Sequence, residues 1–431
     1  MTPGARIEAA LQALATIGTS SRNVDTVLRD FFRGRRYAGS GDRRAVTELV
    51  YEVLRHRGEL LWRCGDDASW RRTMLAFLIF HRDHGWDEVE ALFAGGTYDP
   101  APLSDDDRLW LGSLSEAGSP PVWARGNFPA WLADDLGAQF GDAVGDEMAA
   151  LNRPAAVDIR VNRLKTRREE IAGWLAEDGI ETTPTDFSPD GLRLAAPRAL
   201  TNHDLYEQGA FEVQDEGSQL VARLTDACPG EQIVDLCAGA GGKTLALAAA
   251  MGGSGQIYAF DNNARRLERM RPRLERAGVR NVQAHQVPQA KDKLAALADS
   301  IDRVLIDAPC SGTGTWRRHP SARWRLRPDH IERHCVSQAM LLREGAGLVR
   351  PGGRLVYATC SVLFAENQRI VRDFLGERDD FRALDMAEVW TEALPGVAPP
   401  DRGWTEPGLL LTPARHGCDA FYICALERRE G

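Results

Sequence analysis

Ile233-Val234-Asp235-Leu236-Cys237-Ala238-Gly239-Ala240-Gly241-Gly242-Lys243-Thr244 runs from β-forming apolar residues through small ones and into the helical Leu245 to Met251. A strand, a tight turn and a helix in succession open a βαβ unit. The small residues let the backbone approach a ligand at the helix N-terminus. Two phosphate-binding readings fail on spacing. A Walker A loop needs glycine six residues before its lysine, and that position is Cys237. The GxGxxG dinucleotide fingerprint fails because Thr244 takes its third glycine position. What remains is an acid followed by a small-residue turn.

Working outward from this turn, the chain keeps alternating. Gln256 to Phe260 reads as a second strand, Arg265 to Ala277 as a helix despite Pro272, and Val282 begins a third strand. Arg303 to Ile306 is a fourth, Ser337 to Val349 a helix stopped by Pro351-Gly352-Gly353, and Arg354 to Cys360 a fifth strand. Ala365 to Leu375 is a helix, and Leu409 to Thr412 and Ala420 to Leu426 are late strands. Strands alternating with helices predict an α/β domain with a mostly parallel sheet. Asp261 closes the second strand, twenty residues beyond Gly241. An acid there accepts hydrogen bonds from ribose hydroxyls. The turn after Asp235 suits S-adenosylmethionine, whose amino-acid end carries an ammonium and a carboxylate but no phosphate.

Two core strands end on cysteines. Val304-Leu305-Ile306 leads into Asp307-Ala308-Pro309-Cys310-Ser311-Gly312-Thr313-Gly314, and Leu355 to Ala358 leads into Thr359-Cys360-Ser361. Loops leaving the carboxyl ends of strands form the ligand crevice of an open α/β sheet. Free cysteines are often buried core residues. The Asp-Ala-Pro-Cys context favours chemistry over packing, with two thiols facing one substrate.

N-terminal to this region, residues 1 to about 115 read as helical. Val24, Val27, Leu28, Phe31 and Phe32 recur at helical spacing, as do Val46, Leu49, Val50, Val53 and Leu54. Arg22, Arg29, Arg33, Arg35, Arg36, Arg43, Arg44, Arg55 and Arg57 in these helices are either solvated faces or an RNA-facing surface. Pro100, Pro102, Gly118, Pro120 and Pro121 punctuate a boundary, beyond which strands at Ala156 to Val161 and Gly191 to Leu194 suggest a small α+β module. The expected domains are 1–118 all-helical, 122–207 small α+β and 208–431 catalytic. No apolar run approaches membrane-span length, and the residues from Met1 to Ala15 lack a signal-peptide pattern, so a cytoplasmic protein is expected. Eight cysteines without a CxxC pair are neither a disulfide scaffold nor a zinc motif, and no metal site is expected. A net charge of −9 argues against indiscriminate nucleic-acid binding and leaves local basic patches available.

With both cysteine loops and the nucleoside site in hand, the chain resembles the RNA cytosine-C5 methyltransferases of the Sun (Fmu) type, in their ribosomal-RNA-modifying branch. Phe211-Glu212-Val213-Gln214-Asp215-Glu216-Gly217-Ser218-Gln219 resembles the family's entry motif, and Asp235 to Thr244 its cofactor loop, with Gly239-Ala240 in place of Ala-Pro. Asp307 to Gly314 and Ala358-Thr359-Cys360-Ser361 match its cysteine motifs. Glu366-Asn367 and Asp419-Ala420-Phe421-Tyr422 resemble later landmarks. Asp42-Arg43-Arg44 and Glu48-Leu49-Val50-Tyr51 carry a weaker likeness to a NusB-like RNA-binding domain. One departure is the missing acid after the third strand. Gln283 to Gln289 has no aspartate, so no adenine ligand is assigned there.

The resemblance implies a class I, Rossmann-like S-adenosylmethionine-dependent methyltransferase domain preceded by the all-helical and α+β regions. It implies methylation of cytosine C5 in RNA through a cysteine adduct at C6. Cys360 would be the nucleophile, Cys310 would assist proton loss and release, and Asp307 would hold the base edge. Cys237, Ala238, Gly239, Gly241, Lys243, Asp261 and Asp307 would bind the cofactor, with Lys243 also a candidate base or phosphate contact. DNA cytosine methyltransferases use a Pro-Cys nucleophile, which leaves Cys310 as the alternative attacker. The segment after the first cysteine loop holds Arg317, Arg318, Arg323, Arg325, Arg327 and Arg333 with Trp316 and Trp324. Such a mixture suits RNA backbone binding and base stacking. Ribosomal RNA is the expected partner and transfer RNA the second choice, with the protein acting as a monomer. Two alternatives remain: a DNA or small-molecule methyltransferase on the same fold, and a catalytically idle RNA-binding assembly factor, against which the intact Asp307, Cys310 and Cys360 speak.

Overall fold

A computed structural model describes residues 1–65, 68–114 and 118–430. These form two compact units, Met1–Arg153 with Trp316–Leu326, and Pro154–Thr315 with Arg327–Gly431.

The first unit is helical. The helix Val24–Arg33 starts where the Asn23 side chain accepts from the Thr26 amide at 2.8 Å, and its Val24, Val27, Leu28, Phe31 and Phe32 face inward. The Val46 to Leu54 stripe is buried on the helix Ser40–Arg55. This unit extends beyond the boundary expected near residues 118–122. Phe128, in a loop, and Leu132, Leu136, Met148 and Leu151, on the later helices, are buried apolar residues of this unit. Gly58 permits the close approach, since a Cβ there would lie 2.8 Å from the Asn127 Cα.

The segment 316–326 also belongs to this unit, which corrects the RNA-facing reading for its residues, whereas Arg327 and Arg333 of the same run are exposed. Trp316 and Arg323 are fully buried and Arg317 nearly so. The Arg323 guanidinium donates to the carbonyls of Asn127 (2.6 Å) and Leu151 (3.2 Å) and lies 4.9 Å from the Trp316 ring centre. Arg55 donates to the carbonyls of Asn152 and Arg317, and Arg325 to those of Ser21 and Arg22. The helix Val144–Asn152 ends here. Its last carbonyls lack partners within the helix, and arginine forks supply them. Asp42, half-buried, pairs with the Met1 ammonium and Arg6, and the exposed Arg43 donates to the Ala38 carbonyl at 2.9 Å, so both have partners within this unit.

The second unit holds two sheets. The smaller has the order β2–β3–β1–β4, all antiparallel, from β1 (Asp158–Val161), β2 (Thr182–Pro184), β3 (Gly191–Leu194) and β4 (Phe211–Val213). The helix Arg168–Glu177 covers it with Ile171 and Leu175. The larger sheet contains β5 (Gln232–Asp235), β6 (Gln256–Asp261), β7 (Val282–Gln286), β8 (Ile301–Asp307), β9 (Val349–Thr359), β10 (Phe381–Ala383), β11 (Leu409–Leu411) and β12 (Phe421–Arg428). Its order is β7–β6–β5–β8–β9–β12–β10, with β11 also on β12. The pairs from β7 to β9 are parallel, and those made by β12 are antiparallel. The order reverses at β5, so the crevice of this doubly wound sheet opens beyond the carboxyl ends of β5 and β8.

Two expected details differ. The helix before β9 ends at Ala346, and Pro351-Gly352-Gly353 lies inside β9 instead of stopping that helix. There the pairing jumps from Ile301↔Val349 to Arg303↔Arg354, an irregularity that Gly352 accommodates at φ +72°. The entry motif is β4, a turn and the helix Glu216–Leu224. Its Asp215 accepts from the Asp419 amide, and its Glu216 from the amides of Phe187 and Ser188. It therefore ties the small sheet to the large one.

Candidate active site

A cavity of about 620 Å³ opens at the carboxyl ends of β5, β6, β8 and β9. Asp235, Cys237, Ala238, Gly239, Lys243, Asp261, Asp307, Cys310 and Cys360 line it. Gly241 is absent from this wall. Its φ of +84° turns the chain into the helix Gly242–Ala250, and a Cβ there would lie 2.5 Å from the Met270 Cγ. Its role is therefore backbone shape and close packing. Asn262, Arg266, Val287, His334, Ser337 and Leu341 also line the cavity and were not singled out from the sequence. They sit on three separate segments, and only Asn262, directly after Asp261, adjoins a motif residue. Val287 stands in the stretch where no adenine ligand was assigned.

The acids of the glycine loop are fixed by its backbone. The Gly239 and Asn263 amides donate to the two Asp261 oxygens at 2.8 and 2.7 Å. Each oxygen keeps acceptor capacity toward the cavity. Asp261→Ala is expected to weaken S-adenosylmethionine binding by roughly ten- to a hundred-fold, the loss of a charged hydrogen bond worth about 1.5–3 kcal/mol. Calorimetric titration of the folded variant checks it, and unchanged affinity would place the nucleoside elsewhere.

Asp235 differs. Its Oδ2 accepts from the Thr244 hydroxyl at 2.7 Å, whereas Oδ1 is buried without a partner. Burial pushes its carboxyl up to about 7, with the Asp307 charge adding to the shift and Thr244 opposing it. The orphaned oxygen and the small-residue turn fit the ammonium end of S-adenosylmethionine. Because the folded value lies above the unfolded one, this acid contributes stability at low pH that is lost as pH rises from about 4 through 7. Asp235→Asn is expected to remove that loss. The stability difference between variant and parent should shift by up to about 4 kcal/mol in the variant's favour across that interval. Denaturant titrations at both ends of the interval measure it.

The two cysteines meet. Cys310 Sγ lies 3.3 Å from Cys360 Sγ. The register Asp307↔Ala358 between β8 and β9 brings the loops level, and the Gly314 amide donates to the Cys360 carbonyl at 2.9 Å. The hydrogen bond to Cys360, reinforced by burial, holds the Cys310 thiol well above its ordinary range. Lys243, expected at the cofactor, donates from Nζ to Asp307 Oδ2 at 2.7 Å and lies 5.0 Å from the Phe421 ring centre. It fixes the side chain of Asp307 at the cavity wall.

Residues 222–427 match the family model described as 16S rRNA methyltransferase RsmB/F, and residues 128–201 match that of its ferredoxin-like domain. The chain is 34% identical over 315 residues to the ribosomal RNA small subunit methyltransferase B of Pseudomonas syringae pv. tomato, covering 73% of this chain and 68% of that protein. The chain belongs to the RsmB/F family of ribosomal RNA methyltransferases. Members of this family are S-adenosylmethionine-dependent. The probable ribosomal RNA small subunit methyltransferase B of Synechocystis sp. is 35% identical over 304 residues, 70% of this chain and 67% of that one. The chain thus spans about two thirds of the length of these relatives. The crystal structure of PH0851 matches with a TM-score of 0.77 at 27% identity, over 99% of both chains. Among the described residues no helix is long and apolar enough to cross a membrane.

Proposed function

We propose that this RsmB/F-family enzyme methylates C5 of a cytosine in small-subunit ribosomal RNA through a covalent adduct between Cys360 and C6. The observation that carries this reading is the pair of sulfurs 3.3 Å apart beside Asp307 in one cavity. Bound S-adenosylmethionine supplies an electrophilic sulfonium methyl group. Cytosine C5 is a poor nucleophile, and addition of the Cys360 sulfur at C6 makes it enamine-like. Asp307, fixed by Lys243, holds the base edge and favours the N3-protonated form of the adduct.

Cys310 enters as a thiol, which favours Cys360 as the attacker. Bonding of Cys360 to carbon then removes the hydrogen bond and the charge that keep the Cys310 proton in place. Cys310 therefore ionises more readily at the stage where the C5 proton must leave and Cys360 must depart. The target base has to be unstacked to reach this cavity. The helical unit supports RNA recognition with the exposed rings of Tyr37 and Tyr98 around a surface cleft that also holds Arg35.

The deciding experiment transfers labelled methyl groups to RNA and DNA oligomers of matched sequence, followed by nucleoside analysis. Label in RNA as 5-methylcytosine is expected. Label at another atom, or equal transfer to DNA, overturns the reading. Bisulfite sequencing of ribosomal and transfer RNA from cells lacking the protein identifies the target.

A further inference from the structure

Behind the two thiols sits Glu366, a fully buried carboxylate that none of the steps above uses. Its Oε1 accepts from the Ser311 amide at 2.8 Å and from Gln338 Nε2 at 3.2 Å. Its Oε2 accepts from the hydroxyls of both Ser311 and Ser361. Ser311 directly follows Cys310, and Ser361 directly follows Cys360. One carboxylate thus grips the residue after each thiol, on loops that leave two different strands.

The surroundings reinforce this grip. The Glu366 carbonyl accepts from the Tyr357 hydroxyl at 2.7 Å, within β9. The neighbouring Asn367 accepts from Thr359 at 2.6 Å and donates to the Ser361 carbonyl at 2.8 Å. Gln338 also donates to the Pro309 carbonyl, one residue before Cys310. Among the described residues, every group that donates to the Glu366 carboxylate is neutral. An ionised carboxylate is acceptor-only and suits such a ring of donors. A purely structural buried acid is ordinarily paired with a cation.

We propose that Glu366 is a positioning residue for methyl transfer: it clamps the Cys310 and Cys360 loops through Ser311 and Ser361 and so sets the distance between the two sulfurs. It touches neither substrate nor cofactor and acts through the cysteines. Its negative charge also helps to hold the Cys310 thiol protonated. Glu366→Gln keeps the shape but puts an amide where one oxygen accepted, so part of the clamp opens.

The inference rests on the two-cysteine reading above, and the test separates the two. Full-length Glu366→Gln is expected to lose ten- to a hundred-fold in kcat, with KM for S-adenosylmethionine within two-fold of the parent. Ser311→Ala, which removes one donor from a partly exposed loop, should show the same split with a smaller loss of several-fold. In a cycle with Cys310→Ala, whose turnover is set by slow release of the adduct, Glu366→Gln should slow that release by less than two-fold further, because the step has already lost the sulfur that the clamp places for it. Loss of kcat that simply multiplies with that of Cys310→Ala, an unchanged kcat, or a rise in KM matching the fall in kcat would each overturn the positioning role. Failure of Cys310→Ala to trap RNA overturns the adduct reading and leaves the kinetic cycle to judge the clamp.

Discussion

Protein carrying Cys310→Ala is expected to accumulate covalently joined to its RNA, while Cys360→Ser forms no adduct and transfers no methyl group. A serine hydroxyl is far less ionised than a thiol near neutral pH, so Cys360→Ser lacks an attacker. Loss of methyl transfer by a thousand-fold or more is expected, in line with removing a nucleophile. Cys310→Ala keeps the attacker and also relieves it of a neighbour 3.3 Å away. Addition and methyl arrival proceed, and release stalls. The trapped species should survive denaturing electrophoresis and vanish on ribonuclease treatment. Trapping by Cys360→Ala in place of Cys310→Ala would reverse the roles and restore the arrangement of the DNA enzymes.

The second large effect concerns stability. Arg323→Ala is expected to destabilise the helical unit by about 3 kcal/mol or more. It strands the buried carbonyls of Asn127 and Leu151, at a cost of about 1–3 kcal/mol each, and empties space beside Trp316. Burial lowers the guanidinium to about 9, so it is still charged at neutral pH. Arg323→Lys should rescue little, because an ammonium cannot reproduce the planar fork that meets separate carbonyls. Thermal unfolding measures the loss. A phosphate contact would behave differently, leaving stability intact and lowering the salt dependence of RNA binding by about one unit.

That arginine shows where residue types mislead. Arginines interleaved with tryptophans after the cysteine loop have the composition of an RNA surface. Yet Trp316 and Arg323 are buried, and Arg325 caps backbone carbonyls of Ser21 and Arg22. Their partners lie some 170 to 300 residues away along the chain, and nothing local encodes such a distance. The loop near residue 120 poses a related question, since the ferredoxin-like match begins at residue 128 whereas the compact units divide after Arg153. Prolines and glycines mark a loop, but whether a loop separates two cores depends on where the next apolar faces pack. Phe128, Leu136 and Leu151 are buried in the same compact unit as the helices before the loop.

The sequence by itself determined the alternation of strands and helices, the turn after Asp235, and the ends of β5, β6, β8 and β9 as the places where chemistry-bearing side chains emerge. These are local properties: apolar runs of strand length, small residues where the chain turns, and acids or thiols directly after them. Only the tertiary structure decided which of those ends meet. Parallel pairing of β8 with β9 sets Cys310 against Cys360, and the reversal of strand order at β5 turns Asp235, Asp261 and Asp307 toward one cavity. It also decided that Lys243 serves Asp307 and that Glu366 grips both cysteine loops. Sheet order and register are set by burial of whole faces across the chain, which no stretch carries alone.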